Sequence, residues 1–382
     1  MESPDLFGNV YRGRTVLVTG HTGFKGSWLS LWLQRLGARV VGFSLDPPTN
    51  PSLFVQAAVG DGMVTVHGDV RDPAALLATI QSYEPSVVFH LAAQSLVLEG
   101  YEHPSDTFAT NVMGTVNVLE AIRLNSCVHA CVVVTTDKCY SPITEPRGLH
   151  EMDRLGGVDP YSASKAATEL VVEAFRSSFF WPTGEVGLAS ARAGNVIGGG
   201  DWGHSRLIPD CVRSIRAKKP LDVRAPSAIR PWQHVLEPLA GYLWLAALLL
   251  DDPERVAQAW NFGPPEDQEM SVLEMVHLFR AAWVAVRAAE SLPPVNIVHR
   301  TMHETAELRL DTTKAMRELG WAPVLDAERT IEMVASWYGH WASLDDFDAR
   351  RETLRQIVEY EIRAAQQGVD WVQRVVGQGV RL

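Results

Sequence analysis

Through the first half of the chain, short apolar runs rich in β-branched residues alternate with stretches whose apolar residues recur at helical spacing. Thr15-Val16-Leu17-Val18 predicts a strand, and Ser27-Trp28-Leu29-Ser30-Leu31-Trp32-Leu33 the helix that follows it. Val40 to Ser44, Val64 to Val70, Ser86 to Leu91 and Ala130 to Thr135 predict further strands, with helices fitting between them. A doubly wound parallel sheet requires such alternation, so the fold class is α/β. After the segment from Ala191 to Trp202 the alternation breaks down, and Gly, Pro, Trp and Arg follow in irregular order. A smaller C-terminal lobe assembled from separate segments is expected there. His234-Val235 precedes a long apolar helix, which should return the stretch from Pro231 to Leu250 to the first unit. The expected division is 1–195 with about 230–262 for the sheet domain, about 196–229 with 263–345 for the lobe, and 346–382 for a C-terminal tail of charged surface helices.

Charge and composition narrow the partner. The 34 basic and 45 acidic residues give a net charge of -11 with no basic cluster, which argues against nucleic acid and against an anionic membrane surface. A hydrophobic content of 46% is ample for a buried core, and a small molecule is the expected partner. The start of the chain lacks a basic segment followed by an apolar one, and the most apolar run, Leu243 to Leu250, is too short to span a bilayer, so a cytoplasmic protein is expected. Cys127, Cys131, Cys139 and Cys211 form no metal or redox spacing. His21, His90 and His234 stand at turn or strand ends and read as structural histidines, so no metal is expected.

Between the first strand and the first helix lies Thr19-Gly20-His21-Thr22-Gly23-Phe24-Lys25-Gly26. Three glycines without Cβ atoms let the backbone turn sharply, approach a pyrophosphate and pack helix on strand, with the phosphates on the helix N-terminus. This makes the sheet a Rossmann sheet and NAD the expected cofactor. Asp46, at the end of the second strand, stands where a carboxylate would accept from both ribose hydroxyls, which favours NAD over NADP. Asp69-Val70 and Leu91-Ala92-Ala93-Gln94 fall at the ligand-binding edge of the sheet, with Asp69 a candidate for the adenine amino group. Tyr161 and Lys165, four residues apart after a turn signal, should share one helix face. The ammonium there would lower the phenol pKa toward neutrality for proton transfer as hydride moves, and would hold the nicotinamide ribose.

Taken together, these features resemble the extended short-chain dehydrogenase/reductases, whose third catalytic member, a Ser or Thr after a sheet strand, matches Thr136. Thr135-Thr136-Asp137-Lys138-Cys139-Tyr140, Thr110 to Thr115, Arg192 to Trp202 and Ile229 to Pro238 resemble the CDP-glucose 4,6-dehydratase family from about residue 10 to about 340. The resemblance implies a substrate-binding C-terminal lobe and a CDP-sugar substrate. It implies a reaction in which C4 is oxidised, water leaves across C5 and C6, and the hydride returns to C6. Tyr161 is then the base for the C4 hydroxyl, Thr136 its hydrogen-bond partner, Asp137 the acid for the departing C6 hydroxyl, and Lys138 the base at C5 or a stabiliser of the enolate. Asn195, Arg206 and Arg230 are implied at the diphosphate, Gln94 and Asn111 at the substrate, and His303 and Glu304 near the nucleotide ribose, while Arg192 reads as structural. A homodimer or dimer of dimers through paired helices, one of them bearing Tyr161, is also implied. The chain departs from the family at Ser95, Leu98, Glu99 and Ser141-Pro142; an arginine of the family is lost, and Glu99 is gained and expected near the sugar. A related dehydratase or epimerase for another nucleotide sugar is the alternative, and a non-catalytic NAD-binding sensor a remote one.

Overall fold

The computed structural model describes residues 5–373 apart from 146, 182–183, 266–267, 288–289, 299–306 and 344. The strands are β1 (Thr15–Thr19), β2 (Arg39–Ser44), β3 (Val64–His67), β4 (Val87–His90), β5 (Ala130–Val134), β6 (Gly187–Ala193), β7 (Val196–Ile197), β8 (Leu221–Val223), β9 (Ile229–Arg230), β10 (Gln233–His234), β11 (Ala259–Phe262), β12 (Met270–Ser271) and β13 (Val295–Ile297). The helices are α1 (Phe24–Arg35), α2 (Leu53–Gln56), α3 (Pro73–Tyr83), α4 (Val97–Glu102), α5 (Pro104–Phe108), α6 (Gly114–Arg123), α7 (Pro160–Phe175), α8 (Leu207–Ala217), α9 (Leu236–Asp251), α10 (Pro253–Val256), α11 (Val272–Val286), α12 (Ala327–Ser343), α13 (Ala349–Gln367) and α14 (Asp370–Gln373).

Seven parallel strands form the central sheet in the order β11-β6-β5-β4-β1-β2-β3. The chain winds outward from β1 to β3, then crosses back to β4 and winds the other way. The crevice for a ligand therefore opens at the carboxyl ends of β1 and β4, where winding reverses. Alternate side chains supply both faces: Val16, Val18, Val87 and Phe89 join the core shared with α1 and α9, while Leu17, Val41, Phe43 and Val88 join that shared with α3 and α6. A sheet covered on both sides needs apolar residues on both faces, as the central positions of these strands have. The third strand stops at His67, short of the expected Val70, because the chain turns at Asp69, whose carbonyl accepts from the Asp72 amide.

The tail departs from expectation. Thr353, Gln356, Ile357, Tyr360 and Ala364 of α13 form a buried stripe at helical spacing, hidden in the sequence by the charges between them. Trp371 stacks between Phe7 (4.8 Å) and Tyr360 (5.9 Å), and the Trp32 indole donates to Glu361 at 3.0 Å. The tail thus closes the core over α1 rather than lying on the surface.

Glu237 ties this closure together. Its carboxyl accepts from the Val324 and Leu325 amides (3.0 and 2.7 Å) and from the Tyr360 hydroxyl (2.8 Å). Burial pushes its pKa up to about 7 against these donors. Since the folded-state value lies above the ordinary 4.5, stability is full below about pH 4.5 and declines as pH rises through about 7. Between pH 5 and pH 8 the wild type should lose up to about 3 kcal/mol relative to Glu237→Gln, which cannot ionise. Denaturant unfolding of both proteins at the two pH values measures this; an unchanged difference would show that the fold does not raise the Glu237 pKa.

Candidate active site

The turn after β1 is built by contact. Gly20 adopts φ +74°, and a Cβ there would lie 2.7 Å from the Ala92 amide; a Cβ on Gly26 would overlap the Gly20 carbonyl. Gly23 caps α1 in an extended conformation without a side-chain bond to the first-turn amides. This bare helix N-terminus in a cradle that side chains would fill fits a dinucleotide pyrophosphate. Thr22 ties the turn to the end of β2 through Ser44 Oγ (2.8 Å) and the Leu45 carbonyl (3.0 Å). Beyond it, the Asp46 carboxylate is 90% exposed, 3.7 Å from His67. Thr19 Oγ1 accepts from the Ala92 amide and bonds His90 Nδ1 at 2.7 Å, so Leu91, Ala92 and Ala93 follow β4 directly beside the glycine turn. Burial pushes His21 down to about 4, and His90 and His234 to about 3, leaving all three neutral.

Some expected contacts are occupied by other work. The Asp69 carboxylate accepts from the Arg71 amide (2.9 Å) and guanidinium (2.6 Å), which lowers its pKa, instead of standing free for adenine. Val70 is buried, and its carbonyl accepts from Asn117. Asn111, buried in a π-helical turn over Ala109–Met113, accepts from the Gln94 amide and donates to the Gln94 carbonyl and to Ser164 Oγ at 2.8 Å. Gln94 in turn spends its side chain on Thr107 and the Leu96 amide. These two residues, expected at the substrate, brace α7 against the β4 loop. Glu99 also differs from expectation: it faces His103 at 3.6 Å on the half-exposed side of α4, while Gly100 is the residue turned toward Tyr161.

Three elements bring the chemistry together. At the end of β5, Thr136 Oγ1 accepts from the Lys138 amide and donates to Asp137 Oδ1 at 2.9 Å, holding a single turn over Asp137–Cys139. Asp137 is buried, and burial raises its pKa against the pull of Lys138, Thr136, Arg230 and Lys25. On α7, Asp159 caps the Ser162 amide, Pro160 occupies the first turn, and Tyr161 and Lys165 follow on one face. Burial pushes Tyr161 up to about 12, opposed by the Thr136 hydroxyl and Arg206. The sequence expectation of a lysine-lowered phenol is therefore not met: Lys165 Nζ donates to the Val134 carbonyl at 3.1 Å, and burial lowers Lys165 itself to about 8. Directly after β6, Gly194 lies against the Asp137 carboxyl, and Asn195 takes a left-handed φ of +41° that asparagine tolerates.

Cations surround this centre. Arg206 pairs with Asp201 at 3.1 Å and reaches Ser95 Oγ at 3.3 Å. Arg230 is buried near Asp137. Lys25, placed by sequence at the phosphates, extends to Tyr242 OH at 3.4 Å, and burial together with Arg206 and Lys165 lowers it to about 7. Neither Tyr242, inside an apolar helix, nor Gly194 carried a distinguishing sequence signal. His303 and Glu304 lie outside the described residues.

Beneath the site, Glu169 ties its own helix α7 to the end of β5 and to β6. Its carboxylate accepts from Thr135 Oγ1 of the strand end, from Ser190 Oγ at 2.7 Å and from Arg192 at 2.7 Å, and the Arg192 guanidinium stacks 4.9 Å over Tyr140. Tyr140 then donates to Asn261 at 2.7 Å, whose amide nitrogen reaches the Leu149 and Asp311 carbonyls.

Known proteins resemble this chain. The chain is 45% identical over 348 residues to a CDP-glucose 4,6-dehydratase of Salmonella typhimurium, covering 88% of this chain and 94% of that one. It is 28% identical over 341 residues to a dTDP-glucose 4,6-dehydratase of Xanthomonas campestris, covering 85% and 93%. Among solved structures, a dTDP-glucose 4,6-dehydratase of Streptomyces venezuelae with NAD bound superposes with a TM-score of 0.72 at 23% identity, covering 85% of this chain and 96% of that one, and shares its fold. The family model described as GDP-mannose 4,6 dehydratase matches residues 17–334, and with that span and the 45% identity, the chain belongs to this family of extended short-chain dehydrogenase/reductases.

Proposed function

We propose that this protein is an NAD-dependent CDP-glucose 4,6-dehydratase that converts CDP-glucose to CDP-4-keto-6-deoxyglucose. The observation that carries the reading is a buried carboxyl, Asp137, beside Thr136, Tyr161 and Lys138: a simple 4-epimerase needs no acid for C6. The CDP-glucose specificity follows the Salmonella relative.

The glycine turn from Gly20 to Gly26 holds the cofactor pyrophosphate and Asp46 the adenosine ribose, which favours NAD over NADP. When bound, NAD⁺ supplies the hydride acceptor, the hydride returned to C6, and a cationic ring. Lys165 holds the nicotinamide ribose. Tyr161 Oη takes the C4 hydroxyl proton as phenolate, a form that burial disfavours and that Arg206 and Thr136 favour. A C4 ketone makes the C5 hydrogen acidic, and Lys138 is assigned its removal. Asp137, its pKa raised by burial, gives its proton to the C6 hydroxyl as water leaves. Asn195, Arg206 and Arg230 meet the two charges of the diphosphate.

We also infer a homodimer through the outer face of α5 to α7, where Phe108 is 39%, Met113 52%, Leu170 61% and Trp181 55% exposed. Leu170→Glu should convert a dimer to a monomer in analytical ultracentrifugation; an unchanged mass would move the interface elsewhere.

Tyr161→Phe should lower kcat by about 10²- to 10⁴-fold with little change in sugar-nucleotide affinity, since the lost hydroxyl moves a proton and holds no phosphate. Titration calorimetry and steady-state rates read the two separately, and near-normal turnover would remove Tyr161 from the reaction. Asp137→Asn should still oxidise C4 but eliminate about 10²- to 10⁴-fold more slowly. Absorbance of reduced nicotinamide should rise, and the sugar extracted from the variant should be a 4-keto hexose that retains its C6 oxygen. Wild-type formation of the 4-keto-6-deoxy product by Asp137→Asn would take the C6 acid role from Asp137.

A further inference from the structure

Gly194 directly follows β6 without a left-handed φ, so its backbone conformation is one that any residue adopts. What excludes a side chain is one neighbour: the three heavy atoms nearest to a Cβ at this position are Oδ2, Cγ and Oδ1 of Asp137, with Oδ2 and Cγ overlapped outright. No backbone atom is among them. Asp137 Oδ2 has no hydrogen-bond partner among the described residues, whereas Oδ1 is held by Thr136 at 2.9 Å. The carboxyl is thus fixed from one side by a hydroxyl and seated from the other on a bare Cα.

The strand beneath that seat has little freedom to withdraw. Gln233 Nε2 donates to the Gly194 carbonyl (3.2 Å) and to the Phe262 carbonyl (2.8 Å), tying the end of β6 to β11. The next residues pair Val196 with Gln233 and Ile197 with His234. β6 itself is paired along its length with β5 and β11. A methyl group at 194 must therefore move the carboxyl, breaking its alignment with Thr136, and leave the strand in place.

We propose that Gly194 is a positioning residue for the elimination step: its missing side chain sets where the Asp137 carboxyl stands over C6. The inference rests on the dehydratase reading above. Tyr161 and Lys165 belong to α7 and are not displaced, so C4 oxidation and water loss respond differently to one methyl group. A displacement of about 1 Å at the reacting group is enough to cost about 10²-fold in rate.

The test compares Gly194→Ala, Asp137→Ala and the double variant as full-length, NAD-loaded protein. With CDP-glucose, Gly194→Ala should form the 4-keto hexose retaining its C6 oxygen within a few-fold of the wild-type oxidation rate, while release of 4-keto-6-deoxy product falls about 10²-fold. Thermal melting supplies a readout independent of chemistry: the methyl group should lower Tm in the wild-type background and leave it unchanged in Asp137→Ala, where the obstructing carboxyl is gone. If Gly194→Ala fails to fold, the double variant should fold. Wild-type product release by Gly194→Ala, or an equal loss of Tm in both backgrounds, would overturn the proposal. A wild-type protein that forms no keto sugar would instead refute the dehydratase reading, with the coupling in Tm still deciding whether residue 194 seats the carboxyl.

Discussion

One buried carboxylate holds the scaffold of this site. Glu169 accepts from Thr135 at the end of β5, from Ser190 and Arg192 on β6, and belongs itself to the helix that carries Tyr161 and Lys165. The three elements that bear the acid, its seat and the proton acceptor thus meet at a single charged group. A buried ion pair contributes little net stability compared with an apolar substitute, yet removing one partner strands the other at a cost of about 3–5 kcal/mol. The pair therefore makes alternative arrangements of α7 against β5 and β6 expensive. Through Arg192, Tyr140 and Asn261 the same network extends to the carbonyls of Leu149 and Asp311, so the helix is also tied to β11 and to the segments around residues 149 and 311.

Above this scaffold, burial and charge oppose each other. Desolvation raises the pKa values of Asp137 and Tyr161, while Lys25, Lys138, Arg206 and Arg230 pull them toward their ionised forms. Such a balance suits a substrate that brings two negative charges on its diphosphate, because the cations are then engaged without discharging the acid.

What the sequence disclosed follows from distance along the chain. The turn from Gly20 to Gly26 and the pair Tyr161 and Lys165 are local patterns, each within one turn or one helix face, and their elements stand as read. Gly194 escapes such reading because its reason lies with Asp137, 57 residues earlier, and glycine has no side chain to advertise a role. Lys25 belongs to the glycine motif by sequence but reaches Tyr242 across 217 residues. Asp69, Asn111 and Gln94 have polar side chains suited to ligands, and only the fold shows Arg71, Ser164 and Thr107 taking them. The stripe on α13 was masked by charge, since a helix that is mostly polar by count can still bury one narrow face.

The seating of Trp32 under the tail bears on how the molecule is made. Its indole bonds Glu361, 329 residues later, and Trp371 closes the stack with Phe7 and Tyr360. As the polypeptide leaves the ribosome, all the strands of the sheet emerge while the outer wall of the first helix still lacks its cover. That aromatic surface waits for nearly the whole of translation, so the nascent chain carries a sticky face that chaperones or prompt completion must shield. The order of synthesis sets folding against aggregation at the same wall that later secures the cofactor half of the protein.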